Sequence, residues 1–417
     1  MAAQIPVSVY TPTDGSDHIK ECYESLKNQT YSLWEWILVP NGGVEIPEEI
    51  SSDDRVLIAP FESDSIGELK DFAIRQCSGE LFVELDHDDM LVPTALETLA
   101  EQQADSGAGF LYSDFVTFQE DHTPVTYGEE FGWEHYPFEF ADKKYTAMRA
   151  FDPTPDSLFH LQFSPNHVRA WTRDAYDHAG GYDGSFSVGD DYDLITRTYL
   201  TGADFLHIPE CLYMYRSWDG SRSLNEKNAE IQKIQRNISN KRTYPIVDVW
   251  ARKHNLDIIN VTDPWSDPSE DRENGVQDVP LNGIHSLPDN SAGRIIASEV
   301  LQFLPRDEMT RWMNSAYRVL APNGWLTTQT PSTDGRAAFE HPGYQSYWNQ
   351  NTFWCFTHKS VASQMERYDM PGVSCRFYAA RVWSQFPSPN HEATDSRHVY
   401  ADLVAKKDKR LAGKMQI

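Results

Sequence analysis

The stretch Gly79-Glu80-Leu81-Phe82-Val83-Glu84-Leu85-Asp86-His87-Asp88-Asp89 decides the fold. Leu81 to Leu85 reads as a short buried strand that runs straight into a turn carrying Asp86, Asp88 and Asp89. Carboxylates this close repel one another unless a cation or hydrogen-bond donors compensate them. Oxygen ligands favour a hard cation such as Mg²⁺ or Mn²⁺, held by one or two carboxylates together with substrate phosphates. A solvated acidic turn, or the cap of a helix starting near Pro93-Thr94-Ala95-Leu96, would use the same residues with no ligand. Placement at the carboxyl end of a strand favours function, because open α/β sheets bind their ligands there.

Working outward, strands and helices alternate. Pro6 to Tyr10 reads as a strand ending in the turn Thr11-Pro12-Thr13-Asp14-Gly15. Ile19, Cys22, Tyr23 and Leu26 then fall on one helical face. Trp34 to Val39 is a second strand, closed by Pro40-Asn41-Gly42-Gly43, and Val56 to Pro60 a third. A second helix carries Ile66, Leu69, Phe72, Ala73 and Cys77. This alternation predicts βαβ units and a mainly parallel sheet whose polar turns gather at one edge. Further on, Asp190 and Asp191 follow the glycine-rich loop 179–184 ahead of a helix over Leu194 to Leu200. Acidic residues there serve either as helix caps or as a proton-accepting base. The stretch from Tyr112 to His167 is rich in aromatics, Trp133 among them, and suits either a surface that stacks on sugar rings or nucleobases or a loop packed on the sheet. Asn225 to Arg242 reads as a helix with Ile231, Ile234 and Ile238 on one face.

Composition narrows the classes. Apolar residues at 40% and charged residues at 24% exclude wholesale disorder. The net charge of −27 disfavours a broad nucleic-acid surface. No apolar run approaches the roughly 18–20 residues of a membrane span, and Met1 to Pro6 lack a signal-peptide pattern. Five scattered cysteines without a CxxC pair point to a reducing, cytoplasmic setting.

Together, Val7-Ser8-Val9-Tyr10-Thr11-Pro12-Thr13, Gly67-Glu68-Leu69-Lys70-Asp71 and the acidic stretch quoted first resemble glycosyltransferase family 2 with the GT-A fold. Gly189-Asp190-Asp191-Tyr192-Asp193-Leu194 with Arg197 resembles that family's Glu-Asp motif. Leu212-Tyr213-Met214-Tyr215-Arg216, with Ser221 and Ser223, resembles its closing Tyr-Arg segment. The resemblance implies a nucleotide-sugar donor, UDP-linked by preference. Pro12, Thr13, Asn41 and Lys70 would contact it, and Asp86 and Asp88 would hold Mn²⁺ or Mg²⁺ on the diphosphate. It implies Asp191 as the general base of an inverting transfer, with Trp133, Asp190 and Arg216 on the acceptor side. Two departures stand out. The second strand ends in Val39-Pro40-Asn41-Gly42, so a carboxylate often found there is missing, and Trp218 stands where the family often has a histidine. His207, nearby, reads as structural.

The C-terminal half resembles the second half of a class I, S-adenosylmethionine-dependent methyltransferase, through Tyr317-Arg318-Val319-Leu320-Ala321-Pro322-Asn323-Gly324-Trp325-Leu326 and the loop Thr330 to Arg336. The glycine-rich turn that would cradle the cofactor is missing: between Tyr244 and Val279 stands only Gly275. The expected organisation is a GT-A α/β domain over 1–225, a helix and acidic linker over 226–275, and a smaller degenerate Rossmann-like α/β domain over 276–417. That last domain would pack, present the acceptor or build a homo-oligomer. The fusion resembles glycosyltransferases of bacteria and their phages, whose acceptors include glycans, proteins and modified nucleobases. A non-catalytic sugar-nucleotide-binding or assembly protein, and a methyltransferase, are the rival readings.

Overall fold

The computed structural model describes residues 5–217, 228–266, 275–357 and 372–407. The chain divides into two compact α/β units, the first built from residues 5–153 and 157–243 and the second from 154–156 and 244–407.

In the first unit the order is β1 Val7–Thr13, α1 Ile19–Lys27, β2 Trp34–Pro40, α2 Glu48–Ser51, β3 Val56–Ile58, α3 Ile66–Gln76, β4 Leu81–Glu84, β5 Met90–Leu91, α4 Ala95–Ser106 and β6 Phe110–Phe118. There follow β7 Pro124–Val125, β8 His135–Phe140, β9 Lys143–Met148, α5 Pro155–His160, β10 Arg169–Thr172, α6 Arg173–Ala179, α7 Asp190–Leu200, β11 Phe205–Arg216 and the start of α8 Asn228–Lys253, whose residues from 244 on belong to the second unit. The sheet runs β3-β2-β1-β4-β10-β6-β11-β5. Strands β3, β2, β1 and β4 are mutually parallel, β10 is antiparallel to both neighbours, and β11 is parallel to β6. Strand order reverses at β1, so the ends of β1 and β4 flank the crevice where such sheets bind ligands.

Local patterns explain most of these elements. Val7, Ser8, Val9 and Tyr10 are all buried, as a parallel strand covered on both faces requires. In α1 the buried side chains include Ile19, Cys22, Tyr23 and Leu26, the face expected from their spacing. Ser65 caps α3 by accepting from the Glu68 amide. The face α3 buries differs from the expected one: it centres on Gly67, Leu69, Lys70, Ala73 and Ile74, while Phe72 turns aside to stack on Phe61. A lysine is tolerated inside because two carboxylates meet it there. Helix α7 starts four residues earlier than expected, at Asp190, behind Gly189 in a left-handed conformation (φ 75°). Its first turn holds Asp190, Asp191 and Asp193, the sign that a helix N-terminus favours. Asp193 is buried and binds both Arg197 and Arg242, tying α8 onto this unit.

The second unit carries β12 Asp257–Thr262, β13 Val276–Pro280, β14 Ala292–Ser298, α9 Met309–Val319, β15 Leu320–Pro331, β16 Tyr378–Gln385 and β17 His398–Val404. Its sheet runs β13-β12-β14-β15-β17-β16, with only β17 antiparallel to its neighbours. Strand β12, within the stretch expected to be helix and linker, occupies the place where strand order reverses. It leaves the sheet through Asp263-Pro264-Trp265-Ser266, with no glycine in the turn. Among the described residues no helix is long and apolar enough to cross a membrane.

Gly67 sets a test of the α3 packing. A Cβ built there would lie 2.5 Å from the Asp183 carbonyl oxygen. Alanine improves helix propensity by about 1 kcal/mol over glycine, yet the backbone clash should dominate. Gly67→Ala is expected to destabilise the first unit by about 1–3 kcal/mol, read as a lower midpoint in urea titrations. A midpoint that rises would show that the 182–184 loop yields freely.

Candidate active site

The three aspartates beyond β4 separate into different roles. Asp89 is buried, accepting from the Tyr213 hydroxyl at 2.7 Å and the Arg216 amide at 2.6 Å. Burial, then the charges of Asp88 and Asp86, push its carboxyl well above the usual range. The Tyr213 hydroxyl also accepts from the Asp86 amide at 3.2 Å, and Arg216 Nε donates to the Asp88 carbonyl at 2.9 Å. The Tyr-Arg segment therefore clamps the acidic turn. Arg216, expected on the acceptor side, is buried and pairs with Glu21. Asp86 stays 37% exposed.

Behind this turn lies a buried ionic network. Glu84, the last residue of β4, is 1% exposed and receives Lys70 Nζ at 2.6 Å on one oxygen and Arg169 Nη1 at 3.4 Å on the other. Lys70 also pairs with Asp190 at 3.0 Å, and Arg169 with Asp191 Oδ2 at 2.7 Å. Asp191 Oδ1 accepts from the Tyr192 amide. Lys70, expected to reach the donor, is thus held between two carboxylates, with its pKa raised as Asp190 and Glu84 outweigh burial. Burial acts to raise Glu84 too, but Lys70, His167 and Arg169 hold it well below the usual range. The neighbouring aspartates are pushed apart. Burial lifts Asp190 to about 6 against the pull of Lys70. Burial would also lift Asp191, but Arg169 and Lys70 keep it below its ordinary value. Asp191 is the network's most open carboxylate, at 23% exposure, so it meets the site as a stable anion.

Glu84, Asp86 and His167 bring one ligand atom each within 4.8 Å of one another. His167 Nε2 is 3.6 Å from Glu84 and 3.8 Å from Asp86, and it is buried without a hydrogen-bond partner. Its other nitrogen lies 3.2 Å from Asn166 Oδ1, and the ring stacks against Tyr213 and Tyr215. An imidazole oriented through one nitrogen, with the other aimed at carboxylates, suits a divalent cation. Asp86 and His167 are the better-fitting ligands, since Glu84 already faces two cations. Asp88 is not part of this group.

The remaining expected residues are placed as follows. Pro12 is partly exposed at the end of β1, and Thr13 Oγ1 lies 2.8 Å from His87 Nδ1. The Asn41 amide exchanges hydrogen bonds with the Ser63 backbone, bracing the loop before α3. A cleft of about 300 Å³ opens beyond β2 and β3 between Pro40, Val44, Ile46 and Pro60. Trp133 is buried among Phe115, Tyr127, Phe151 and Phe163 and has no face to offer an acceptor. Much of its aromatic stretch forms the β8–β9 hairpin, which packs on β6. His207 is structural, bonded to Asp114 at 2.7 Å. Trp218, Ser221 and Ser223 lie outside the described residues.

Glu84, His167 and Arg169 were not anticipated. A carboxylate inside an apolar strand is a legible signal for Glu84, because such residues are almost never buried unpaired. Nothing in the sequence marks the other two. They arrive because β10 pairs antiparallel with β4, setting Arg169 opposite Glu84.

Residues 8–161 match the sequence model of a family described as "Glycosyl transferase family 2". Residues 8–161 belong to that family. The chain is 27% identical to chondroitin synthase of Escherichia coli over 235 residues, 55% of this chain and 30% of that protein. It is 22% identical to glycosyltransferase GlyA of Streptococcus pneumoniae over 406 residues, 95% of this chain and 54% of that one. It thus spans under a third of the first and about half of the second. A crystal structure of S. aureus TarS 1-349 in complex with UDP-GlcNAc aligns with a TM-score of 0.45 at 15% identity, covering 60% of this chain and 72% of that one.

The split aspartate pair makes a pH prediction. An unfolded aspartate titrates near 3.9. With Asp190 at about 6, between about pH 4 and pH 6 the folded protein keeps a proton that the unfolded chain has released. Stability contributed by this group therefore falls as pH rises through that window. Asp190→Asn removes the titration, so the parent should lose stability relative to this variant from about pH 4 to pH 6 and stay level above. Urea midpoints measured across that range check it; a flat difference would mean Asp190 is ionised throughout.

Proposed function

We propose that the protein is an inverting glycosyltransferase, moving a sugar from a nucleotide-diphosphate donor to an acceptor hydroxyl with the help of a divalent cation. The single observation that supports this most is Asp191, an anion held ionised by Arg169 at the rim of the buried network. It rests on a family 2 domain and on relatives named as glycosyltransferases. In this reading the Asp191 carboxylate takes the acceptor proton as the hydroxyl attacks the anomeric carbon. Arg169 fixes its orientation, and Asp190 stays bound to Lys70 behind it.

Asp86 and His167 would hold Mn²⁺ or Mg²⁺, with Asp88 of the same turn as the further ligand that the family resemblance implies. When bound, the cation supplies charge neutralisation for the leaving diphosphate. A UDP-sugar is the favoured donor, with the base in the cleft beside Asn41 and the ribose near Pro12 and Thr13. We place the protein in the cytoplasm, which suits its five free thiols. The acceptor class remains a glycan, a protein or a modified nucleobase.

Asp191→Asn keeps the shape of the side chain and removes its basicity. Turnover in a nucleotide-release assay should fall roughly 10²–10⁴-fold, with UDP affinity by calorimetry little changed. If the residue merely capped α7, stability would drop by about 0.5–2 kcal/mol and the folded fraction would turn over normally. In the same calorimetry, Mn²⁺ should tighten UDP binding to the parent and do so far less in His167→Ala. An equal metal effect in both proteins would remove His167 from the ligand set.

A further inference from the structure

The segment that follows β3 is fastened to the end of β2. The Ala59 amide donates to the Leu38 carbonyl at 2.9 Å and the Phe61 amide to the Pro40 carbonyl at 3.2 Å. The Ser63 amide donates to Asn41 Oδ1 at 3.2 Å, and Asn41 Nδ2 returns a bond of 2.9 Å to the Ser63 carbonyl. Both polar atoms of the Asn41 side chain are thereby committed to one stretch of backbone, and Asn41 serves as a brace. Phe61 turns toward α3 and stacks on Phe72, with ring centroids 4.4 Å apart. Its neighbour Glu62 lines the cleft of about 300 Å³ instead, with Pro40, Val44, Ile46, Ile58 and Pro60. Among the described residues Glu62 is the one polar side chain in that lining, and no hydrogen bond or ion pair engages its carboxylate. A Cβ built on Gly15 would stand 3.5 Å from Val44, so the cleft lies beside the turn after β1. It opens at the carboxyl ends of three parallel strands.

The lining selects the occupant. Apolar walls with one polar group suit a flat ring whose orientation that group fixes. A carboxylate accepts hydrogen bonds and donates none, so the ring must bring an N–H to Glu62. Uracil carries such an N–H at N3 and guanine at N1, whereas cytosine N3 and adenine N1 present a lone pair that a carboxylate repels. We infer that Glu62 reads the base of the donor through its ring N–H and restricts the donor to a uridine or guanosine diphosphate sugar. It supplies from the segment after β3 the carboxylate that is missing at the end of β2. The inference rests on the transfer reaction proposed above for the presence of a nucleotide, and adds the residue that chooses it.

Calorimetry of the full chain with UDP, GDP, CDP and ADP, each with Mn²⁺ present, tests this. UDP or GDP should bind about tenfold or more tighter than CDP and ADP, the margin that a hydrogen bond to a charged group sustains. The comparison of UDP with GDP tells which of the two N–H bases is taken. Glu62→Gln can turn either its carbonyl or its amine to the ring, so the four affinities should draw to within about threefold of one another, at unchanged melting temperature. All four nucleotides carry the same diphosphate, so loss of one negative charge by itself would shift them together and preserve their ratios. CDP or ADP bound as tightly as UDP and GDP, or a preference that survives in Glu62→Gln, would overturn the inference and leave the transfer reaction standing. Selective binding of a nucleotide that the chain never releases from its sugar would count against the transfer reaction alone. Binding of none of the four would overturn both.

Discussion

Glu84 is the constraint on which the first unit turns. A carboxylate 1% exposed in the middle of a sheet is very costly unless cations meet it there. Lys70 from α3 and Arg169 from β10 do so, and each carries a second carboxylate, Asp190 or Asp191, from the first turn of α7. One buried anion thereby fixes the mutual placement of a helix, two strands and a second helix. Removing either cation would leave an uncompensated charge, a loss of roughly 3–5 kcal/mol. The arrangement also differentiates two adjacent aspartates. The one facing Lys70 inside is pushed toward protonation, and the one facing Arg169 at the rim is held ionised.

The acidic turn solves a related problem by division of labour. Three carboxylates in a row cannot all remain exposed anions at low cost, so Asp89 turns inward and is satisfied by Tyr213 and Arg216. That inward anchor keeps the turn rigid and leaves Asp86 facing His167. The imidazole adds a nitrogen to the oxygens of Glu84 and Asp86, the donor set of the cation site proposed above, and the tyrosines of β11 stack on its ring.

The second unit keeps a Rossmann-like strand order while lacking a glycine in the turn after β12. Trp265 occupies that turn instead. Asp263 closes the bend by accepting from the Trp265 amide and the Ser266 hydroxyl, and the Trp265 ring stands 67% exposed.

What the sequence determined by itself was whatever depends on neighbours along the chain. The alternation of strands and helices, the face buried by α1, the acidic turn after β4 and the ordered motifs were all legible, because period, turn chemistry and motif spacing are local properties. Asp190 and Asp191 could be singled out, but not told apart, since nothing in Gly189-Asp190-Asp191 says which meets a lysine and which an arginine. Lys70 looked available and proved to be internal, because its partners lie 14 and 120 residues away in the chain. Trp133 looked like an acceptor surface and became core, because β9 pairs with β6 and folds the aromatic stretch onto the sheet. His167 and Arg169 entered the site solely through the pairing of β10 with β4. Those assignments depend on which strands become neighbours, and burial and Coulomb energies act across that contact rather than along the chain.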